Sequence, residues 1–101
     1  MATYQKLVRD NIPALLDKKG IPYEKRIATD DEYRTELIKK LVEESNEFAE
    51  AGSPDELADV LEVLEALKSL PEYADVDSRK IAKRQERGAF NDRIILKGEK
   101  D

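Results

Sequence analysis

Thr29-Asp-Asp-Glu-Tyr-Arg-Thr-Glu-Leu-Ile-Lys-Lys-Leu-Val-Glu-Glu-Ser-Asn-Glu-Phe-Ala-Glu-Ala-Gly52 runs directly into Ser53-Pro-Asp-Glu-Leu-Ala-Asp-Val-Leu-Glu-Val-Leu-Glu-Ala-Leu-Lys-Ser-Leu70. Thr29 and Glu32 have the spacing of a helix-opening capping box. From there to about Ala51, Leu37, Ile38, Leu41, Ser45 and Phe48 recur at helical spacing. Gly52 ends that helix, and Ser53-Pro54-Asp55-Glu56 opens a second that runs to about Leu70, where Pro71 stops it. Two antiparallel helices joined by a tight Gly-Ser-Pro turn must bury their apolar stripes against something else. A four-helix-bundle-like core is the economical answer, with dimerisation supplying the other half. The expected fold class is all-α, with short peripheral extended segments.

Outward from the hairpin the signals are shorter. Lys6-Leu-Val-Arg-Asp-Asn-Ile-Pro13 leads into a helix over about residues 12–19, with Pro13 near its first position, Asp10 or Asn11 as cap and Gly20 as stop. Leu7, Val8, Ile12, Leu15 and Leu16 read as core. Ile21 to Ile27 reads as extended. A basic helix is expected over Ser78–Arg87, closed by Gly88. Arg93-Ile-Ile-Leu-Lys97 has the composition of a short strand, with residues 23–27 as the suggested partner. No internal repeat or low-complexity tract interrupts the chain, and residues 1–101 read as one domain.

Composition narrows the chemistry. The 101 residues carry 23 Asp+Glu against 18 Lys+Arg, a net charge of −5, and 41% of them are charged. That is well above the usual quarter and suits helices with solvated outer faces. There is no cysteine and no histidine, so disulfides, thiolate nucleophiles, the commonest general base and the commonest zinc ligand are all excluded. Any catalysis must use carboxylates, Lys, Arg, Tyr or a hard metal ion held by oxygens. With no long apolar run and no signal-peptide pattern, the expected setting is cytoplasmic and membrane-free. The acidic balance argues against a nucleic acid polymer as partner, since such binding draws on Lys and Arg.

Residues 43–65 hold nine acidic side chains and no basic one. Advancing about 100° per residue, Glu44 falls within about 20–60° of Leu37, Leu41 and Phe48, while Glu43 lies on the far side. Glu47 sits on the same flank as Glu44. On the second helix Glu56 falls inside the apolar arc of Leu57, Val60, Leu61, Val63, Leu64 and Leu67, and Asp59 lies at its edge. Glu62 and Glu65 point away. Four carboxylates at a helix–helix seam repel one another and are costly to desolvate. A hard divalent cation such as Mg²⁺, with Mn²⁺ a substitute, relieves both effects. The plainer readings are a solvated acidic face, a Ser53–Glu56 capping box, and pairing of Glu44 with Lys40 or of Glu47 with Lys39 or Lys40.

Glu43-Glu-Ser-Asn-Glu47 followed by Glu56-Leu-Ala-Asp59 resembles the E-E-x-x-E…E-x-x-D signature of the MazG-like all-α nucleoside triphosphate pyrophosphohydrolases. The opening Lys6–Pro13 segment, together with Glu86-Arg-Gly-Ala-Phe90 and Arg93-Ile94, resembles the phosphoribosyl-ATP pyrophosphohydrolase-like branch of that group, in the expected order along nearly the whole chain. The resemblance implies a helical, oligomeric, Mg²⁺-requiring enzyme that splits a nucleotide between its α and β phosphates. Carried over by position, the implied metal ligands are Glu44, Glu47, Glu56 and Asp59, with Glu44 or Glu47 also orienting a water or taking its proton. Only eight residues separate Glu47 from Glu56, a shorter spacer than the broader family's, which resembles the smaller branch.

Cations for the phosphates are sought on both sides of the hairpin. Lys6 and Arg9 flank Leu7 and Val8, a placement suited to a pocket rim. Lys80, Lys83 and Arg87 share one helical face opposite Ile81, and Lys83 and Arg87 are the substrate-binding candidates there. Tyr4, Tyr23, Tyr33, Tyr73 or Phe90 would offer a ring to a base. Two other functions fit the same residues: a non-catalytic acidic helical interaction module for a basic partner, and a nucleotide sensor that binds without turnover.

Overall fold

In a computed structural model that describes residues 5–99, four α-helices follow one another: α1 (Ile12–Lys19), α2 (Asp30–Ala51), α3 (Pro54–Lys68) and α4 (Val76–Arg87), with a 3₁₀ turn at Pro71–Tyr73. The all-α expectation holds. The α2–α3 hairpin is built as its sequence dictates. Thr29 Oγ1 accepts a hydrogen bond from the Glu32 amide at 3.3 Å, and Asp30, Asp31 and Glu32 crowd the positive end of the helix. At the turn Gly52 takes φ +62°, a left-handed conformation that glycine adopts without a Cβ penalty, and its N–H caps the Phe48 carbonyl at 2.7 Å. Ser53 Oγ then accepts from the Glu56 amide at 3.3 Å and Pro54 starts α3.

Around the hairpin the boundaries move in instructive ways. α1 spans the expected residues, and Gly20 closes it with φ +70°. Asn11 occupies its cap position in a helical conformation without a side-chain cap bond, so the expected side-chain cap is not formed. α3 stops at Lys68 rather than Leu70, because Ser69 turns its hydroxyl onto the Ala66 carbonyl at 2.6 Å. Pro71 begins the 3₁₀ turn that follows. α4 starts at Val76, two residues before the expected Ser78.

The suggested strand pairing does not occur. Among the described residues there is no strand, and both 23–27 and 93–97 lie outside any regular element. Such a pairing would close a loop of some seventy residues, and α4 instead leads the tail away. Ile94, Ile95 and Leu96 are 73%, 93% and 90% exposed.

Burial within one chain is slight. Among the described residues Leu37 and Val63 are the buried apolar side chains, facing each other's helix across the seam. Leu41, Phe48, Val60 and Leu67 are half-buried, as are Leu7, Val8, Ile12 and Leu16, while Leu15 is exposed. Ile38, Val42, Leu57 and Leu61 remain exposed. The radius of gyration is 18.1 Å, against about 13 Å for a compact chain of this length. No helix among the described residues is long and apolar enough to cross a membrane.

Candidate metal centre

Antiparallel packing of α2 on α3 sets the third turn from the end of one helix against the opening turns of the other. Glu44, Glu56 and Asp59 thereby each offer a carboxylate oxygen within 4.8 Å of the others. They come from two helices, Glu56 and Asp59 at i, i+3 on α3 and Glu44 across the seam. Glu44 is the one buried charged residue among those described, 8% exposed. Its Oε1 lies 3.6 Å from Lys40 Nζ, while Oε2 is buried with no hydrogen-bond partner. A buried carboxylate oxygen without a partner is costly. Burial first, then the charge of neighbouring Glu47, push the Glu44 carboxyl above its ordinary pKa; Lys40 opposes them and Asp59 adds to them.

Of the four expected ligands, the structure thus brings three together. Glu47 is exposed on the rim beside Glu44, outside the mutual cluster. Its suggested partners are engaged elsewhere, Lys39 with Glu36 at 3.3 Å and Lys40 with Glu44. The capping-box alternative for Glu56 is half formed. Its amide donates to Ser53 Oγ, but among the described residues its carboxylate makes no return bond to the Ser53 amide, and it belongs to the cluster instead.

The donor set suits a hard cation. It is all oxygen, it is anionic, and it joins a desolvated carboxylate to two half-buried ones. Mg²⁺ holds its ligands at about 2.1 Å, so oxygens on one ion lie at most about 4.2 Å apart. Only one of the three pairs can lie opposite on an octahedral ion, and neighbouring oxygens lie about 3.0 Å apart, so the three side chains would draw closer together to share one ion.

The N-terminal segment crosses onto this face. Arg9 Nη2 lies 2.8 Å from Asp59 Oδ1, and Lys6 Nζ lies 3.7 Å from Glu43 Oε1. Both expected rim cations therefore stand at the acidic hairpin. That Arg9 chooses Asp59, fifty residues away, had no signal in the sequence beyond opposite charge. Lys83 and Arg87 are exposed on α4, and among the described residues no hydrogen bond or ion pair joins them to the cluster. Of the candidate rings, Tyr23, Tyr33 and Tyr73 are half-buried and Phe90 is 96% exposed; Tyr4 lies outside the described residues. Comparison with family models, curated proteins and solved structures finds no match for this chain.

Proposed function

We propose that this chain is a metal-dependent nucleotide pyrophosphohydrolase of the MazG-like kind. In the reaction a water oxygen joins the α-phosphorus and the α–β bridging bond breaks, giving a nucleoside monophosphate and pyrophosphate. The observation that carries this reading is the buried Glu44 carboxylate, which has an orphaned Oε2 and is clustered with Glu56 and Asp59. Those three carboxylates would hold Mg²⁺, or Mn²⁺ in its place. A divalent cation supplies charge neutralisation to phosphate and acidifies water.

The chain's own residues take the remaining roles. Glu47, on the exposed rim, orients the attacking water or accepts its proton, a task open to a carboxylate in a chain without histidine. Arg9 offers a planar, bidentate fork to phosphate oxygens and Lys6 a compact positive charge. Arg9 must leave Asp59 to do so, and a contact between groups this exposed is weak enough to exchange. The setting proposed is cytoplasmic, and the working form a homo-oligomer. Ile38, Val42, Leu57 and Leu61 share one face of the hairpin, and burying that face against a second copy would complete a four-helix bundle.

Glu44→Ala and Asp59→Ala test the reading. Each abolishes pyrophosphate release while leaving the helical circular dichroism unchanged; full turnover in both variants would contradict it.

A further inference from the structure

We propose that α4 is an arm that docks through its cationic face along the acidic outer edge of α3 in a second copy of this chain. Every described residue from Ala74 to Glu99 is exposed. α4 is held at its root, by the 3.2 Å pair of Lys68 with Asp77 and by Val76, which lines a groove of about 300 Å³ with Ile38, Leu41 and Leu64. A helix of twelve residues surrounded by water is marginal by propensity alone. It needs a surface.

Charge selects that surface. Residues 76–97 carry seven basic side chains against three acidic ones, while residues 43–65 carry nine acidic and none basic. Lys80, Lys83, Arg84 and Arg87 lie on one side of α4, with Ile81 and Ala82 on the other. On α3, Glu62 and Glu65 point outward from the seam and are exposed, Glu65 lying 3.7 Å from Lys68 of its own helix, a surface pair weak enough to exchange.

Area selects a second copy. The chain exposes 9571 Å², against about 5,800 Å² for a compact monomer of its mass. That surplus exceeds the roughly 800 Å² per partner that a stable interface hides. Val76 lines the same groove as Ile38 and Leu41, so α4 leaves the hairpin on its apolar side, where a second copy would pack. The docking does not depend on catalysis. That it also carries Lys83 and Arg87 toward the partner's carboxylates rests on the nucleotide reading.

The test uses two full-length charge-reversed chains, Lys80→Glu/Arg84→Glu and Glu62→Lys/Glu65→Lys, with sedimentation equilibrium as readout. In each chain alone, like charges meet and the dimer dissociation constant rises about tenfold or more. In an equimolar mixture each arm meets an edge of opposite sign, and tight heterodimers form. Unchanged dissociation constants in the single chains, or a mixture no tighter than its parts, would overturn the proposal. So would α4 folding back on its own α3, which mixing cannot rescue. Wild-type dimers should also weaken several-fold between about 0.05 M and 0.5 M salt as screening shortens; salt-independent association would overturn it equally. None of these readouts involves turnover, so failure of the arm and failure of the enzyme reading are separable.

Discussion

Arg9 and Asp59, fifty residues apart in the chain, meet at 2.8 Å and tie the segment before α1 to the second turn of α3. Asp59 is therefore shared between an internal cation and the cluster formed with Glu44 and Glu56. Both side chains are about half exposed, so the pair contributes about 0.2–1 kcal/mol. Arg9→Gln frees Asp59 and removes a positive charge from the site. Mn²⁺ affinity measured by calorimetry should rise about two- to fivefold, while turnover falls. Weaker Mn²⁺ binding in this variant would show that Asp59 is not a ligand.

Glu44 bears the opposite kind of cost. Its buried Oε2 has no partner, and Gln at the same position removes the charge with little change in volume. The metal-free Glu44→Gln protein should be more stable at neutral pH by on the order of 1 kcal/mol, or about 4–8 °C in Tm for a chain of this size. The wild-type protein should gain stability from Mg²⁺, about 2.7 kcal/mol when the ion is at a hundred times its Kd. The Glu44→Gln protein should gain little. Thermal melts with Mg²⁺ and with EDTA decide both points.

The sign of the pH dependence follows from the same residue. The Glu44 carboxyl titrates above its ordinary 4.5 in the folded chain, so the fold binds that proton more tightly than the unfolded chain does. This contribution is fully present below 4.5 and is lost as pH rises through the elevated value. Glu32, held low by Arg26, and Asp75, held low by Arg79, act the other way. Their contributions are present above the ordinary carboxylate values and are lost on acidification. In EDTA, wild-type Tm should therefore fall as pH rises above 4.5, and Glu44→Gln should flatten that limb while keeping the acid limb. A wild-type curve rising steadily through that range would contradict the assignment.

Ser53 links the turn to the site. Its hydroxyl caps the Glu56 amide at the first turn of α3. Ser53→Ala should cost about 1 kcal/mol of stability in denaturant titration. It should also weaken Mn²⁺ binding, because Glu56 sits on the turn that loosens. Loss of stability with Mn²⁺ affinity unchanged would separate the cap from the metal centre.

The hairpin was legible because its instructions are local. Thr29 with Glu32, Gly52, and Ser53 with Pro54 each act within a few residues, and the 3.6-residue spacing of Leu37, Leu41 and Phe48 needs no knowledge of the rest. The same spacing placed Glu44, Glu56 and Asp59 toward one seam, and they do meet there. Glu47, three residues on from Glu44 on the same flank, stands exposed beside it and outside the group of three. The strand at 93–97 did not form. Its β-branched composition reports a wish for burial but names no partner, and one copy of the chain provides none. Arg9 with Asp59 was illegible because opposite charge alone cannot choose among nine carboxylates.

The most direct test of the central claim is product analysis with a panel of ribo- and deoxyribonucleoside triphosphates in Mg²⁺, Mn²⁺ or EDTA. The account predicts pyrophosphate and the matching monophosphate in equal amounts, with either metal and not with EDTA. A folded protein that binds neither metal and releases no pyrophosphate from any nucleotide would contradict it, and would leave the acidic hairpin as a surface for a basic partner.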